Sequence, residues 1–490
     1  MAEARQAVDL GRSLLLVAAV VLVALLTFVP LSSNDFWLQV TIGGMIWNDG
    51  AIPRTVLFPF TEAKDYPFIA HEWLPSVVFY LLHKSLGYDA LLFVKGAFGL
   101  LIFALCYRLA RRLTGDKELA VVLAIAAMVV GNYRHFLRPE VFAVVFLVAL
   151  LIFLVEYQLT GRRLFLAWAV PLAALWANCH GSAPLALVIV ALFGAGAAGD
   201  VWITSRAATP AVRAAAPYAV LGVAMALAML LNPYGWHLFG FAWQIAHWQV
   251  LNEYIIEWRP TFADPFAGNR AFWAFLIYLA CGIALGVAYR RRLTATAVLL
   301  FVAFALLAAQ RQRHIVLFAY VALYSIAATV DAAGLRARLG RALAPAGIAL
   351  LVVGVAAVVR YGNMYGGWPH RIVSDNFSPP MAEHLAKLEG NVFNSYVLGA
   401  QLIHDYYPRL RPMIDSRIDA YGEPYFLYTV KLAEDEPALR DFIRRYDVRY
   451  FLLTWGEFNH RIHAMPQLRA DGWRILFADQ RAVLLSKPGR

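Results

Sequence analysis

Residues 118–163 read ELAVVLAIAAMVVGNYRHFLRPEVFAVVFLVALLIFLVEYQLTGRR. Two apolar runs, about 119–133 and 140–157, face each other across a short polar turn holding Tyr133, Arg134, His135, Arg138 and Glu140. Arg162 and Arg163 close the second run, and Arg108, Arg111, Arg112 and Lys117 precede the first. A bilayer needs roughly 20 apolar residues per helix, and short loops rich in Lys and Arg stay on the cytoplasmic side. The stretch therefore reads as two membrane spans with plain arginines at their inner ends and an unusual polar turn at their outer ends.

The same pattern extends in both directions. Runs at about 14–31, 90–108, 164–178, 183–203, 215–231, 271–289, 293–309, 314–330 and 343–359 complete a set of eleven. The first follows Arg5 and Arg12 and lacks a small-residue cleavage site before Ser32-Ser33-Asn34-Asp35, so it is expected to remain as a span with the N-terminus in the cytoplasm. With sides alternating, Arg206/Arg213, Arg290/Arg291/Arg292 and Arg336/Arg338/Arg341 join the inner clusters. Composition agrees: 61% of the 490 residues are hydrophobic and 15% charged, which excludes a soluble enzyme, a disordered chain and a collagen-like one. The net charge of +11 sits largely at span ends and reads as topology rather than affinity for nucleic acid. Cys106, Cys179 and Cys281 lie in or beside apolar runs, so the polar C-terminal region has no disulfide framework and no cysteine zinc site.

Two outer loops are long, 32–89 and 235–270. Within the first, His71 to Leu86 is apolar but too short to cross, and counting it as a span would put the Arg108–Lys117 cluster outside; it is expected to be an interfacial helix. The second carries Trp236, Trp243, Trp248 and Trp258, as in segments lying at headgroup level. The layout is thus a polytopic α-helical membrane domain over 1–360 and a C-terminal α/β soluble domain over 361–490. Strands are expected at 392–394, 413–416, 450–454, 474–477 and 482–485, with helices near 380–389, 397–406 and 435–446.

Polar residues at membrane depth gather at the outer ends of the spans. They include Asn34, Asp35, His71, Glu72, Asn178, His180, Asn232, Glu253, Glu257, Arg259, Arg311, Arg313 and His314, besides the polar turn already described. Charges at that depth are costly and tend to be functional, so a single outward-facing cavity is expected. A carboxylate there can take a proton from an acceptor hydroxyl, with Asp35 the first candidate, while arginines such as Arg134, Arg138, Arg311 and Arg313 hold a phosphate. There is no phosphate-cradling glycine loop, no H-E-x-x-H and no G-x-S-x-G. Each residue also has a plainer reading. Asp35, His71 and Glu72 can cap helices; Asn178 and His180 can satisfy neighbouring groups; Asn232-Pro233-Tyr234-Gly235 is a span-ending turn. Glu253 and Glu257 can form a solvated face, and Asp415, Arg417 and Asp419 alternate like the exposed face of a strand, or else lean over the cavity beside Tyr421-Gly422.

Asn34-Asp35-Phe36-Trp37 after the first span, the long first loop, and His71-Glu72-Trp73-Leu74-Pro75 together resemble the GT-C superfamily of polyprenyl-phosphate-sugar-dependent glycosyltransferases. The protein O-mannosyltransferases and aminoarabinose transferases belong to it. Gly50-Ala51-Ile52-Pro53-Arg54-Thr55, Trp176 to Gly181, Asn232 to Gly235 and Asp415 to Gly422 bring the chain closest to a bacterial subgroup of that superfamily. The resemblance implies an inverting hexosyl or pentosyl transfer to a hydroxyl or amine at the outer face. Asp35 matches the loop-one acid, with Asn34 where relatives have a second acid and Glu72 where they have a proline. No cofactor is certain; a divalent cation, Mg or Mn, would bind through Asp35 and Glu72. Implied partners are a polyprenyl-phosphate-linked sugar and a glycan, lipid or protein acceptor in a bacterial inner membrane, with the C-terminal domain periplasmic or extracellular. The rival readings are a polyprenyl-lipid or glycolipid transporter and an inactive GT-C-like scaffold. A transporter places its site near the midplane between repeated halves, and this chain shows no repeat.

Overall fold

The computed structural model describes residues 16–17, 19–23, 34–87, 90–134, 137–263, 270–334, 376–432, 434–459 and 470–487. The expected span at 343–359 and most of that at 14–31 lie outside them. Contacts divide the chain into two units: residues 1–30, 91–243 and 251–372 form one, and 31–90, 244–250 and 373–490 the other.

The first unit is a helical bundle. Its principal helices are α3 (Leu91–Thr114), α4 (Lys117–Gly131), α5 (Glu140–Thr160), α6 (Leu164–Cys179), α7 (Leu185–Ser205), α8 (Ala208–Met229), α11 (Arg270–Ala288), α12 (Ala295–Gln310) and α13 (Ile315–Ala332), while α9 (His237–His247) and α10 (Gln249–Tyr254) each have residues in both units. All nine expected spans between 90 and 330 are helical; among the described residues six helices are long and apolar enough to cross a membrane, while Leu164–Cys179 and Ala295–Gln310 are apolar but shorter.

Local chemistry sets the boundaries. Asp116 caps α4 by accepting from the Leu119 amide at 3.0 Å, and Thr294 caps α12 through the Ala297 amide at 3.2 Å. Gly161, at φ +69°, ends α5 in the left-handed conformation that glycine adopts without strain. At the centre lies α13, packed against α3, α4, α5, α11 and α12 and buried around nearly its whole circumference. Gly131 leaves room for the Tyr320 ring, which any Cβ would overlap. Small residues allow this close approach where lipid offers no hydrophobic drive between helices.

The second unit joins the first outer loop to the C-terminal domain. Helix α1 (Asn34–Asp49) packs on α2 (Trp73–Leu86), and the 14-residue α2 falls short of a bilayer crossing. Beyond residue 376 come α14 (Pro379–Ala386), β1 (Gly390–Asn394), α15 (Tyr396–Tyr406), β2 (Leu410–Pro412), α16 (Glu423–Leu432), α17 (Glu436–Arg445), β3 (Val448–Thr454), β4 (Arg474–Ala478) and β5 (Ala482–Ser486). The sheet order is β2-β1-β3-β5-β4, with β1 parallel to β2 and β3 and the last two pairings antiparallel. Its core gathers Met381, Leu385, Val392, Leu398, Leu452 and Leu484. Helix α15 packs against α1, so loop one and the C-terminal domain share one unit.

Two details differ from the sequence reading. The second strand is Leu410–Pro412 rather than 413–416, because residues 413–415 leave the ladder to be held by Asn394: its amide donates to the Ile414 carbonyl and its oxygen accepts from the Met413 amide. Helix α16 was not expected; its apolar positions mix with tyrosines, and the period is weak.

Candidate active site

In the bundle, the polar turn between α4 and α5 meets the second outer loop. Arg134 lies almost fully buried in a helical turn (Asn132–Arg134), and its fork is filled. Nε and Nη2 donate to Glu140 Oε2 at 2.9 and 2.6 Å, and Nη1 donates to Glu257. Burial alone would lower the Arg134 pKa, but the two carboxylates more than offset it and hold the guanidinium above its usual range. Glu257 is likewise resisted by burial yet kept below the usual carboxylate range by Arg134, Arg313 and Arg138. Arg138 Nη1 stands 3.9 Å from Glu257.

Arg313 and Arg311 take a different partner. Their guanidinium carbons lie 4.2 and 4.6 Å from the centre of the Trp258 ring. Trp258 is buried, so this tryptophan is a cation platform rather than a headgroup anchor; Trp248 is buried too, while Trp236 and Trp243 are exposed as the sequence suggested. Between the two arginines, Gln312 is fully buried, and both its amide atoms lack a hydrogen-bond partner in the described structure. Four guanidiniums thus surround two carboxylates at the bundle edge. Arg134 is filled by Glu140 and Glu257, Arg138 approaches Glu257, and Arg313 acts on both carboxylates from its place on Trp258.

Other residues singled out in this unit make local hydrogen bonds, and His180 and His314 also act electrostatically on or with Glu140. Asn178 donates to the Ala174 and Leu231 carbonyls, both at 2.8 Å, tying α6 to the chain after α8. His180 follows α6 and receives the Ser182 amide at Nδ1, 3.1 Å. Asn232 closes its turn through the Met229 and Gly235 carbonyls and the Tyr234 amide. Arg259 donates to the Glu253 carbonyl at 2.8 Å. His314 has Nδ1 3.1 Å from the Leu307 carbonyl.

In the second unit, Asp35 occupies the first turn of α1, half-buried, and Asn34 is the residue before it. Glu72 stands at the start of α2 without capping it; instead it accepts from Gln39 Nε2 at 2.6 Å. His71 lies between Glu72, 3.6 Å from Nε2, and Asp419, 3.8 Å from Nδ1. Burial would depress its pKa, but the two carboxylates, Glu72 first, raise it to about 9, so His71 is an imidazolium at neutral pH. Asp419 is pushed above its usual range by burial and by Glu72, against the pull of His71.

The expected exposed strand face at 415–419 is instead a buried latch. Arg417 makes a two-pronged pair with Asp415, Nε to Oδ1 at 2.9 Å and Nη2 to Oδ2 at 2.7 Å, and also donates to the Val56 carbonyl. Tyr421 donates to Asp415 Oδ2 at 2.7 Å, and Arg417 lies over the rings of Phe68 and Phe58. Asp419 then leads a short helical turn (Ile418–Tyr421) toward His71. The sequence offered Asp419 both as an exposed strand residue and as one leaning over a cavity, and its place two residues beyond Arg417 is set by that latch. Among the described residues, no three His, Cys, Asp or Glu side chains converge as metal ligands. Around His71 the carboxylates form an ion-pair chain instead.

No protein-family model and no curated protein matches the sequence. Solved structures do. The oligosaccharyltransferase AglB from Archaeoglobus fulgidus, in complex with an inhibitory peptide and a dolichol-phosphate, aligns with a TM-score of 0.59 at 14% identity, over 98% of this chain and 74% of that one. ArnT from Cupriavidus metallidurans, bound to undecaprenyl phosphate, aligns with a TM-score of 0.52 at 16% identity, over 98% of this chain and 97% of that one. At such identities the likeness is one of fold. The chain shares the fold of these solved membrane proteins.

Proposed function

We propose that the chain is a GT-C glycosyltransferase that moves a sugar from a polyprenyl-phosphate donor to an acceptor hydroxyl or amine at the outer face of a bacterial inner membrane. The N-terminus is then cytoplasmic and the C-terminal domain periplasmic or extracellular. The observation that carries the reading is the arginine-rich edge of the bundle, in a fold whose solved examples AglB and ArnT are named with a bound polyprenyl phosphate.

The chemistry needs two things from the protein. A leaving phosphate must be held as it gains charge, and Arg313 and Arg311 on Trp258, with Arg138 nearby, are the guanidiniums that would hold it. An acceptor must lose its proton as it attacks. Asp35 takes that proton; the acceptor oxygen or nitrogen bonds to the anomeric carbon from the face opposite the phosphate, and the carbon–oxygen bond breaks with its electron pair going to the polyprenyl phosphate. In the same unit the His71 imidazolium pairs with Glu72 on one ring nitrogen and with Asp419 on the other. No step is routed through a metal, because the described donors do not gather as a ligand set.

The decisive experiment is mass spectrometry of glycans and lipids from cells with the wild-type chain, no chain, or Asp35→Asn at equal membrane abundance. Loss of one sugar-bearing product in both altered strains, by 100-fold or more in rate for the purified variant on a polyprenyl-phosphate sugar, is the expected result, on the order of a lost general base. A fully active Asp35→Asn, with deletion changing only where a lipid accumulates, would leave transport as the function.

A further inference from the structure

At the opposite end of α5 from Glu140 lies a second charged site. Glu156 is sixteen residues further along that helix, about 24 Å away at 1.5 Å per residue. Its carboxylate is buried, its side chain only 6% exposed, and it is gripped by Arg112 through two parallel bonds, Nε to Oε1 and Nη2 to Oε2, both 2.7 Å. Arg108 stands 3.6 Å from the same carboxylate. These groups line a cleft of about 650 Å³ that also receives Arg111 and Arg162, with Tyr107 and Phe165 as aromatic walls.

The charge is unbalanced. Four arginines share one carboxylate, and neither Arg111 nor Arg162 reaches an acidic partner among the described residues. Setting the topology requires only positive charge in a short connection. It requires neither a walled cleft nor a buried carboxylate that fixes a guanidinium in place. Arg112 spends Nε and Nη2 on Glu156 and keeps Nη1 free of it, so the carboxylate presents a positioned donor to the cleft. Guanidinium forks match phosphate oxygens in pairs, and basic clefts between spans hold anionic headgroups.

We propose that this cleft binds a phosphate oxyanion, presented by an anionic membrane lipid whose glycerol and chains lie along Tyr107 and Phe165, or by soluble phosphate. The site is separate from the transfer reaction, and its test does not depend on activity. The full chain, purified in neutral detergent, is titrated with phosphatidylglycerol, phosphatidylcholine or inorganic phosphate, with binding read by native mass spectrometry and by the shift in unfolding temperature. Arg111→Gln with Arg162→Gln is compared with Arg206→Gln with Arg213→Gln, a basic pair at the end of α7 and in α8 that is not part of this cleft's lining.

The expected result is preferential binding of phosphatidylglycerol over phosphatidylcholine, weakened tenfold or more by the cleft pair and less than twofold by the control pair. Inorganic phosphate that displaces the lipid and shows the same loss identifies a soluble anion as sufficient; phosphate that does neither identifies the lipid. Equal weakening by both pairs, or equal binding of the two lipids, overturns the proposal. If the glutamine pair does not fold, Arg111→Lys with Arg162→Lys keeps the charge but removes the fork. A threefold or greater loss is then expected, and unchanged affinity overturns the site.

Discussion

Single residues divide into those whose loss breaks the structure and those whose loss should change chemistry alone. Arg134 and Arg417 belong to the first kind. Arg134→Ala strands Glu140 and Glu257, and Arg417→Ala strands the fully buried Asp415; each should cost about 3–5 kcal/mol, seen as a lowered unfolding temperature of the full chain. Arg313 stacks on Trp258 without taking a carboxylate within ion-pair distance among the described residues. Arg313→Ala should therefore leave the unfolding temperature within a few degrees of wild type while raising the KM for the donor at least tenfold; an equal loss of stability would make it a structural group. His71 gives a pH signature. Its folded pKa of about 9 lies above the ordinary value near 6.5, so its ion pairs stabilise the fold fully below pH 6.5 and progressively less as pH rises through 9. Unfolding temperatures of wild type and His71→Gln should differ most at pH 6 and converge by pH 10.

At the scale of elements, the interface between α1 and α2 depends on close approach. A Cβ on Gly43 would overlap the backbone carbonyl of Ser76, whereas one on Gly222 would meet nothing within 4 Å. Gly43→Ala should destabilise the full chain by about 1–3 kcal/mol, as overpacking does, while Gly222→Ala should be silent or slightly stabilising. Helix α2 also bears on the proposed topology. At 14 residues it cannot cross, so Lys84→Cys and Lys387→Cys should be labelled by an impermeant thiol reagent from one side, and Arg206→Cys from the other. Opposite sides for the first two would invert every later span. These helices were legible because apolar length and basic ends are local signals. Strand β2 and helix α16 were not, since the Asn394 side chain in one case and aromatic packing in the other override local pattern.

The whole molecule is arranged so that the first outer loop folds with the C-terminal domain, not with the spans beside it in sequence. Thr41 meets His404 Nδ1 at 3.0 Å, Thr61 meets the Tyr425 hydroxyl at 2.8 Å, and Glu62 accepts from Arg445 at 2.7 Å. A chain ending at residue 372 should consequently expose 50–70 to limited proteolysis in membranes where the full chain resists it. By itself the sequence determined the class of protein, the positions of nine helices, the α/β character of the last domain and the residues from which a site could be built. Periodicity, span length and charge at span ends act over a few residues, and a chain in lipid has few other ways to satisfy its backbone. Which of those residues meet was decided only by tertiary structure. Arg134 and Arg313 look alike in sequence, yet one is saturated by two carboxylates and the other lies on a tryptophan; Asp419 looked solvated, yet it stands beside His71. Arg134 and Glu257 are 123 residues apart and Asp419 and His71 are 348 apart, beyond the reach of local pattern, so side-chain geometry and burial set the charge that each group carries.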